Sequence, residues 1–154
     1  MSFLKHLSPG PRSTSATDKM NRGRAWLESQ AYDRAIAAFT AAIRLDPSNA
    51  AAYRNRGLTY EEAGQYEPAI ADYTEALRLD PQSADAYFQR GNAHFARDDF
   101  DRAIADYGRA IALDPGLALA YYYRGLAYSE RGNAVRAKAD QHKAMRLDPG
   151  LGGR

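Results

Sequence analysis

The chain has 154 residues, 45% of them hydrophobic, and a formal net charge of +2, which suits one folded domain with its own core. It contains no cysteine, so disulfides, thiolate nucleophiles and cysteine-ligated metals are excluded. So small a net charge argues against a dedicated nucleic-acid surface, and no apolar run is long enough to cross a bilayer as a helix.

Residues 1–15 differ from the rest of the chain. Pro9-Gly10-Pro11 breaks any helix and Ser13-Thr14-Ser15 is small and polar, so this stretch is expected to be a flexible leader. Phe3, Leu4 and Leu7 give it one short apolar face that a repeat surface could hold. Met1 to Gly10 has no apolar segment of the kind a secretory signal needs, and a cytoplasmic location is expected. Usage rich in Ala, Arg and Asp points to a GC-rich bacterial source.

From Ala16 the sequence repeats. Pro47, Pro81, Pro115 and Pro149 stand 34 residues apart, as do Arg22-Gly23, Arg56-Gly57, Arg90-Gly91 and Arg124-Gly125. The units are 16–49, 50–83, 84–117 and 118–151, with 152–154 as a tail. A period of this size on helical patterns marks a stacked array. Within each unit, apolar and small residues fall at helical spacing. A turn splits the unit, and an Asp-Pro pair ends it because the residue before proline leaves the helical region. The spacing predicts helices near 16–29, 33–45, 50–63, 67–79, 84–97, 101–113, 118–131 and 135–147.

The slots of the repeat have distinct chemistry. Gly23, Gly57, Gly91 and Gly125 fill one small slot, and Ala35, Ala69, Ala103 and Ala137 another. Bulky slots read Trp26, Tyr60, His94, Tyr128, then Phe39, Tyr73, Tyr107, Gln141, then Tyr32, Tyr66, Phe100, Ala134. Small against large lets neighbouring helices interlock. Arg56, Arg90 and Arg124 are matched by Asp72, Asp106 and Asp140, and ion pairs within the stack are expected.

These residues resemble the tetratricopeptide repeat family. Its pattern is matched in the second unit by Tyr53, Gly57, Tyr60, Ala69, Tyr73, Ala76 and Pro81, and in the third by Tyr87, Gly91, His94, Ala103, Tyr107, Ala110 and Pro115. The resemblance covers 16–151 and implies an all-α, right-handed superhelical solenoid of four helix-turn-helix hairpins. The leucine slot of the family pattern holds arginine here. Small or polar residues at both ends, Lys19 first and Ala134, Lys138 and Gln141 last, stand where a neighbouring repeat would pack, so four repeats are expected to complete the array. No further helix is expected in Gly150–Arg154.

No catalytic constellation is present. His94 occupies an aromatic packing slot, His6 lies in the leader and His142 on the last helix. Glu61-Glu62 and Asp98-Asp99 fall near turns and are expected to be solvated, and no phosphate-binding loop or serine nucleophile motif occurs. The expectation is a non-enzyme without cofactor or metal.

The resemblance implies a concave groove lined by the first helix of each hairpin. Its slots hold Thr17, Met20, Asn21, Arg24, Leu27; Ala51, Arg54, Asn55, Leu58, Glu61; Asp85, Phe88, Gln89, Asn92, Phe95; and Leu119, Tyr122, Tyr123, Leu126, Ser129. The candidate partner-binding residues are Arg24, Arg54, Asn55, Leu58, Phe88, Gln89, Asn92, Phe95, Tyr122, Tyr123 and Leu126. Aromatics would anchor a protein or peptide segment, amides would bond its backbone, and Arg24 and Arg54 would meet acidic side chains. Some relatives clamp a terminal carboxylate with Lys, Asn and Arg. Asn55 matches that clamp, but Met20, Arg24, Asp85 and Gln89 fill its other slots, so binding of that type is not expected. The leading expectation is an interaction module, monomeric rather than homo-oligomeric. A self-assembling structural protein and an RNA-binding helical repeat are the alternatives.

Overall fold

The computed structural model describes residues 15–153. Eight α-helices and one short 3₁₀ helix make up these residues: α1 (Ala16–Glu28), α2 (Tyr32–Leu45), α3 (Ala50–Glu62), α4 (Tyr66–Leu79), α5 (Ala84–Phe95), α6 (Phe100–Leu113), α7 (Ala118–Glu130), α8 (Ala134–Leu147) and η1 (Pro149–Gly153). Each odd helix pairs with the next even one as a hairpin, and each even helix packs on the first helix of the next hairpin. The result is an all-α solenoid. The expectations for residues 1–14 lie outside the described residues, whereas Ser15 caps α1, its hydroxyl accepting from the Asp18 N–H at 3.1 Å.

Helix ends recur as the slots do. Asn49 and Ser83 cap α3 and α5 by accepting from Ala52 and Ala86 N–H groups, and Asp99 and Asn133 cap α6 and α8 in the same way. At the other end, Asp46, Asp80, Asp114 and Asp148 each accept from the backbone N–H two residues on, across the proline. Each Leu-Asp-Pro is therefore both a helix stop and an Asx turn. Inside the hairpins, the turn slot takes a left-handed residue: Gln30 and Asp98 at φ 58°, Gly64 and Gly132 at φ 73°. Glycine is free to adopt this conformation, and Gln30 and Asp98 adopt it despite a Cβ.

The core is built where small meets large. Ala35, Ala69, Ala103 and Ala137 are buried, and Phe39, Tyr73 and Tyr107 are fully so. A Cβ added to Gly23, Gly57 or Gly91 would stand 2.5, 2.9 and 2.8 Å from those three rings. The glycine slot is thus the seat of the aromatic ring of the paired helix. Met20, set among the groove slots by sequence, is instead buried with Phe39, Ala35, Ala42 and Ala52. Its unbranched side chain fills the first hairpin from inside.

Three arginines bind the stack. Arg56 donates from Nε and Nη2 to the Asp72 carboxylate, both at 2.7 Å, and from Nη1 to Thr40 Oγ1 of the preceding hairpin at 3.0 Å. Arg90 repeats this with Asp106, both at 2.8 Å, and Thr74 at 3.1 Å. Arg124 pairs with Asp140 at 2.7 and 2.8 Å, but the hydroxyl slot is Gly108 and its Nη1 lies over that glycine. The carboxylate hydrogen bond raises each guanidinium pKa, against the opposing effect of burial. The expected Arg–Asp pairs are present, and the link to the preceding repeat adds to them.

The C-terminal expectation needs correction. Pro149–Gly153 forms a 3₁₀ turn, and Leu151 is buried. Leu151 stands in the slot held by Asn49, Ser83 and Leu117 before each odd helix, and its apolar side chain is enough to fold so short a turn against α8.

Two measurements test this account. Arg90→Leu leaves the buried Asp106 carboxylate unpaired and should lower stability by about 3 kcal/mol, read from urea unfolding. Arg78→Leu, whose pair with Glu75 is exposed, should change it by less than about 0.5 kcal/mol. Adding Asp106→Leu to Arg90→Leu should recover most of the loss. His94 is buried, 3.9 Å from Asp106 and 4.0 Å from Asp99, and its Nδ1 has no hydrogen-bond partner. Burial lowers its pKa, outweighing the two carboxylates, and Arg90 and Arg102 lower it further. The unfolded chain then binds this proton at higher pH than the folded chain. Stability from His94 is full above its unfolded pKa of about 6.5 and falls as pH drops toward the lower folded value. His94→Tyr, the residue of that slot at 60 and 128, should lose less stability than wild type between pH 7.5 and 5.5.

Candidate binding groove

The odd helices α1, α3, α5 and α7 lie side by side, and the candidate residues sit on them. Arg24 is exposed, and Arg54, Asn55, Leu58, Phe88, Gln89, Asn92, Phe95, Tyr122, Tyr123 and Leu126 are half-buried. Most of them already touch other parts of the chain.

The aromatics form one connected strip. Phe88 lies 5.8 Å from the buried Tyr107 and 6.0 Å from Tyr123, measured between ring centroids. Tyr123 stacks on Tyr107 at 6.3 Å and meets Phe95 edge-on at 6.3 Å. Phe95 also contacts Phe100 at 5.3 Å, and Tyr122 meets Tyr123 edge-on at 5.4 Å. The strip joins α5, α6 and α7, so its inner rings help hold the third hairpin to the fourth. Leu119 at its border is exposed.

The polar groups are more committed than the sequence indicates. Asn92 Oδ1 accepts from the Tyr107 hydroxyl at 2.8 Å. Gln89 Oε1 is shielded from solvent and has no donor. Both amides therefore offer a ligand their NH₂ groups rather than both ends. Arg54, expected to meet a partner's acid, pairs with Asp85 of the next hairpin at 3.2 Å. Glu61 is not part of a solvated charge run: it accepts from the Tyr73 hydroxyl at 2.5 Å, and burial raises its pKa while that bond lowers it. Burial also raises the pKa of Tyr73 and Tyr107, so both phenols stay protonated donors.

A small recess lies beside Arg54, floored by Ala50, Ala51, Ala76 and Ala86 and edged by Asp80 and Ser83. Among the described residues no cluster of His, Cys, Asp or Glu could hold a metal ion, and no helix is long and apolar enough to cross a membrane. The geometry defines a helical-repeat solenoid whose odd helices carry an aromatic strip with amides beside it.

Comparison with known proteins carries this to a family. Two family models match, one described as tetratricopeptide repeat over residues 21–90 and one as TPR repeat over 91–132. A crystal structure of MamA protein is 33% identical with a TM-score of 0.84, covering 88% of this chain and 74% of that one. MamA residues 41 to the end from Desulfovibrio magneticus RS-1 is 21% identical, TM-score 0.83, covering 90% and 78%. The first TPR of Spaghetti (RPAP3), bound to HSP90 peptide SRMEEVD, is 27% identical, TM-score 0.74, covering 78% and 98%. A search of curated proteins gives no match. The chain belongs to the tetratricopeptide repeat family, whose fold suits protein interaction and scaffolding.

The hydrogen bond from Tyr107 to Asn92 can be tested alone. Asn92→Leu, which copies Leu58 and Leu126, should leave the buried Tyr107 hydroxyl without an acceptor and lower stability by about 1–2 kcal/mol. Adding Tyr107→Phe should restore most of that in thermal unfolding measured by circular dichroism.

Proposed function

We propose that the protein is a non-catalytic interaction module that holds a peptide or protein segment along this groove. The strip of half-exposed rings from Phe88 to Tyr122 carries the reading. Exposed aromatic clusters of this kind favour binding, and rings already fixed by one another lose little entropy on contact. Leu58 and Leu126 widen the apolar surface. The free NH₂ groups of Asn55, Gln89 and Asn92 suit the carbonyl oxygens of a bound backbone, and Arg24 suits an acidic side chain. The neighbour with a bound peptide lends support to the mode. Its ligand's chemistry does not transfer, because Met20 is buried and Asp85 is paired with Arg54, leaving no cationic clamp for a terminal carboxylate.

Tyr122 and Leu119 are the anchors that can be removed without opening the core, since Leu119 is exposed and Tyr122 meets the strip at the ring of Tyr123. Tyr122→Ala with Leu119→Ala should keep the helical spectrum and the unfolding midpoint within a few degrees. Capture of the partner from native lysate should fall at least about tenfold, equivalent to 1.4 kcal/mol. Arg78→Ala with Arg109→Ala, outside the groove, is the control and should capture normally. Equal capture by the groove variant and wild type would remove the groove from the reading.

A further inference from the structure

Each arginine of the stack sits in a prepared environment, except the first. Arg56, Arg90 and Arg124 each have an aspartate from their own hairpin, and each lies over the tyrosine three residues before it, at 5.8, 5.7 and 5.6 Å from the ring centroid. Arg56 and Arg90 also reach a threonine on the preceding helix. At Arg22 all three are replaced. Ala38 stands in the aspartate slot, Lys19 stands in the tyrosine slot, and no described helix precedes. Arg22 is exposed and makes no ion pair among the described residues.

What remains is a depression on the N-terminal face, lined by Lys19, Arg22, Trp26, Arg34, Ala38 and Ala41. Arg34 lies 4.9 Å over the Trp26 ring. Three cations converge there and no carboxylate lines it. The third hairpin has the matching depression, with a described helix beside it. There Arg90, His94, Arg102 and Asp106 line it, and Ile70 and Thr74 of α4 form its wall on the preceding helix. Inside the array a helix therefore borders this site, bearing an aliphatic residue and, four positions on, a side chain that accepts from the arginine.

We propose that the N-terminal face docks an acidic amphipathic helix from a partner protein, with an aliphatic residue and, four positions later, Glu or Asp. The aliphatic side chain takes the place of Ile70, and the carboxylate meets Arg22 with Lys19 and Arg34 beside it. That carboxylate supplies the charge that Ala38 lacks, in the bidentate geometry the guanidinium favours. The groove plays no part in this contact. Residues 1–14 contain Lys5, His6 and Arg12 and no acidic residue. The opposite face of the array carries Lys138 in the slot of Ile70, so a second copy would bring an ammonium to the three cations of this face.

Trp26 is the chain's one tryptophan, so its emission reports this site directly. The probe is a synthetic helical peptide of about 18 residues without tryptophan, carrying Leu and Glu at i and i+4 along one face. Its control has every Glu changed to Gln. Titrated into the full chain, the Glu peptide should shift Trp26 emission to saturation, at least about tenfold tighter than the Gln peptide, and should weaken as salt is raised. Arg22→Leu should lose about tenfold in affinity. Ala38→Asp restores the internal pair of the later hairpins; it should raise the melting temperature and lose the peptide together. Equal binding of the Glu and Gln peptides, no response of Trp26, or unaltered binding by Ala38→Asp each overturns the proposal. So does a Trp26 shielded from acrylamide in the free chain, which assigns the face to residues 1–14. A concentration-dependent shift without peptide assigns it to a second copy, and an equal shift with an RNA oligomer assigns it to phosphate; either result also overturns the proposal.

Discussion

A guanidinium held between two helices and reaching back to a third is the interaction that sets this stack. Arg56 and Arg90 each use three nitrogens, two on the aspartate of their own hairpin and one on a threonine of the hairpin before. Lysine carries three donors on one nitrogen and lacks the planar fork that spans these separate acceptors. The net energy of a buried ion pair is small, because desolvation offsets most of the attraction. Its contribution here is registry: the bonds form only when helix, paired helix and preceding helix are aligned. The stabilising energy comes from apolar contact, above all the rings of Phe39, Tyr73 and Tyr107 seated on the glycine slots.

The network is complete only in the middle of the chain. The second and third hairpins have arginine, aspartate, threonine and tyrosine in place. The first hairpin has Ala38 and Lys19, and its aromatic is Phe39, without a hydroxyl. The fourth has Gly108 behind Arg124, and Gln141 where an aromatic stands elsewhere. In a linear array each hairpin is stabilised by its neighbours, so stability is greatest at the centre and declines outward. The losses at the two ends are different in kind. The last hairpin keeps its Arg124–Asp140 pair and gains the apolar cover of Leu151. The first keeps the arginine and loses its partners, which leaves charge on the surface.

The sequence discloses what a repeat constrains. All eight α-helices, the hairpin pairing and the three Arg–Asp pairs are legible, because four aligned copies separate the slots that must stay fixed from those that vary. Contacts made by the varying slots are not legible in this way. Asn92 reaches Tyr107 in one hairpin and Glu61 reaches Tyr73 in another, from different positions of the first helix, so no common pattern records that each buried phenol takes an acceptor. Arg54–Asp85 crosses between hairpins only once. Met20 shares a slot with Arg54, Phe88 and Tyr122, yet it is buried. The fold around Leu151 rests on one apolar side chain among glycines, a signal too local for periodicity to carry.

The same distinction limits what the groove can be. Phe88, Phe95 and Tyr123 are not idle anchors awaiting a ligand; with Tyr107 they close the seam between the third and fourth hairpins. Tyr107 is the ring of its slot in that seam, whereas Gln141 holds the same slot inside the fourth hairpin, over Gly125. A ring shared between core and surface has less area left to bury on binding, which reduces the affinity it adds, but its position is fixed before the ligand arrives. The outer members, Tyr122 and Leu119, have the opposite balance. On the proposed function, specificity falls to the edge of this strip, where side chains are free of the stack, and rigidity to its centre, where they are part of it.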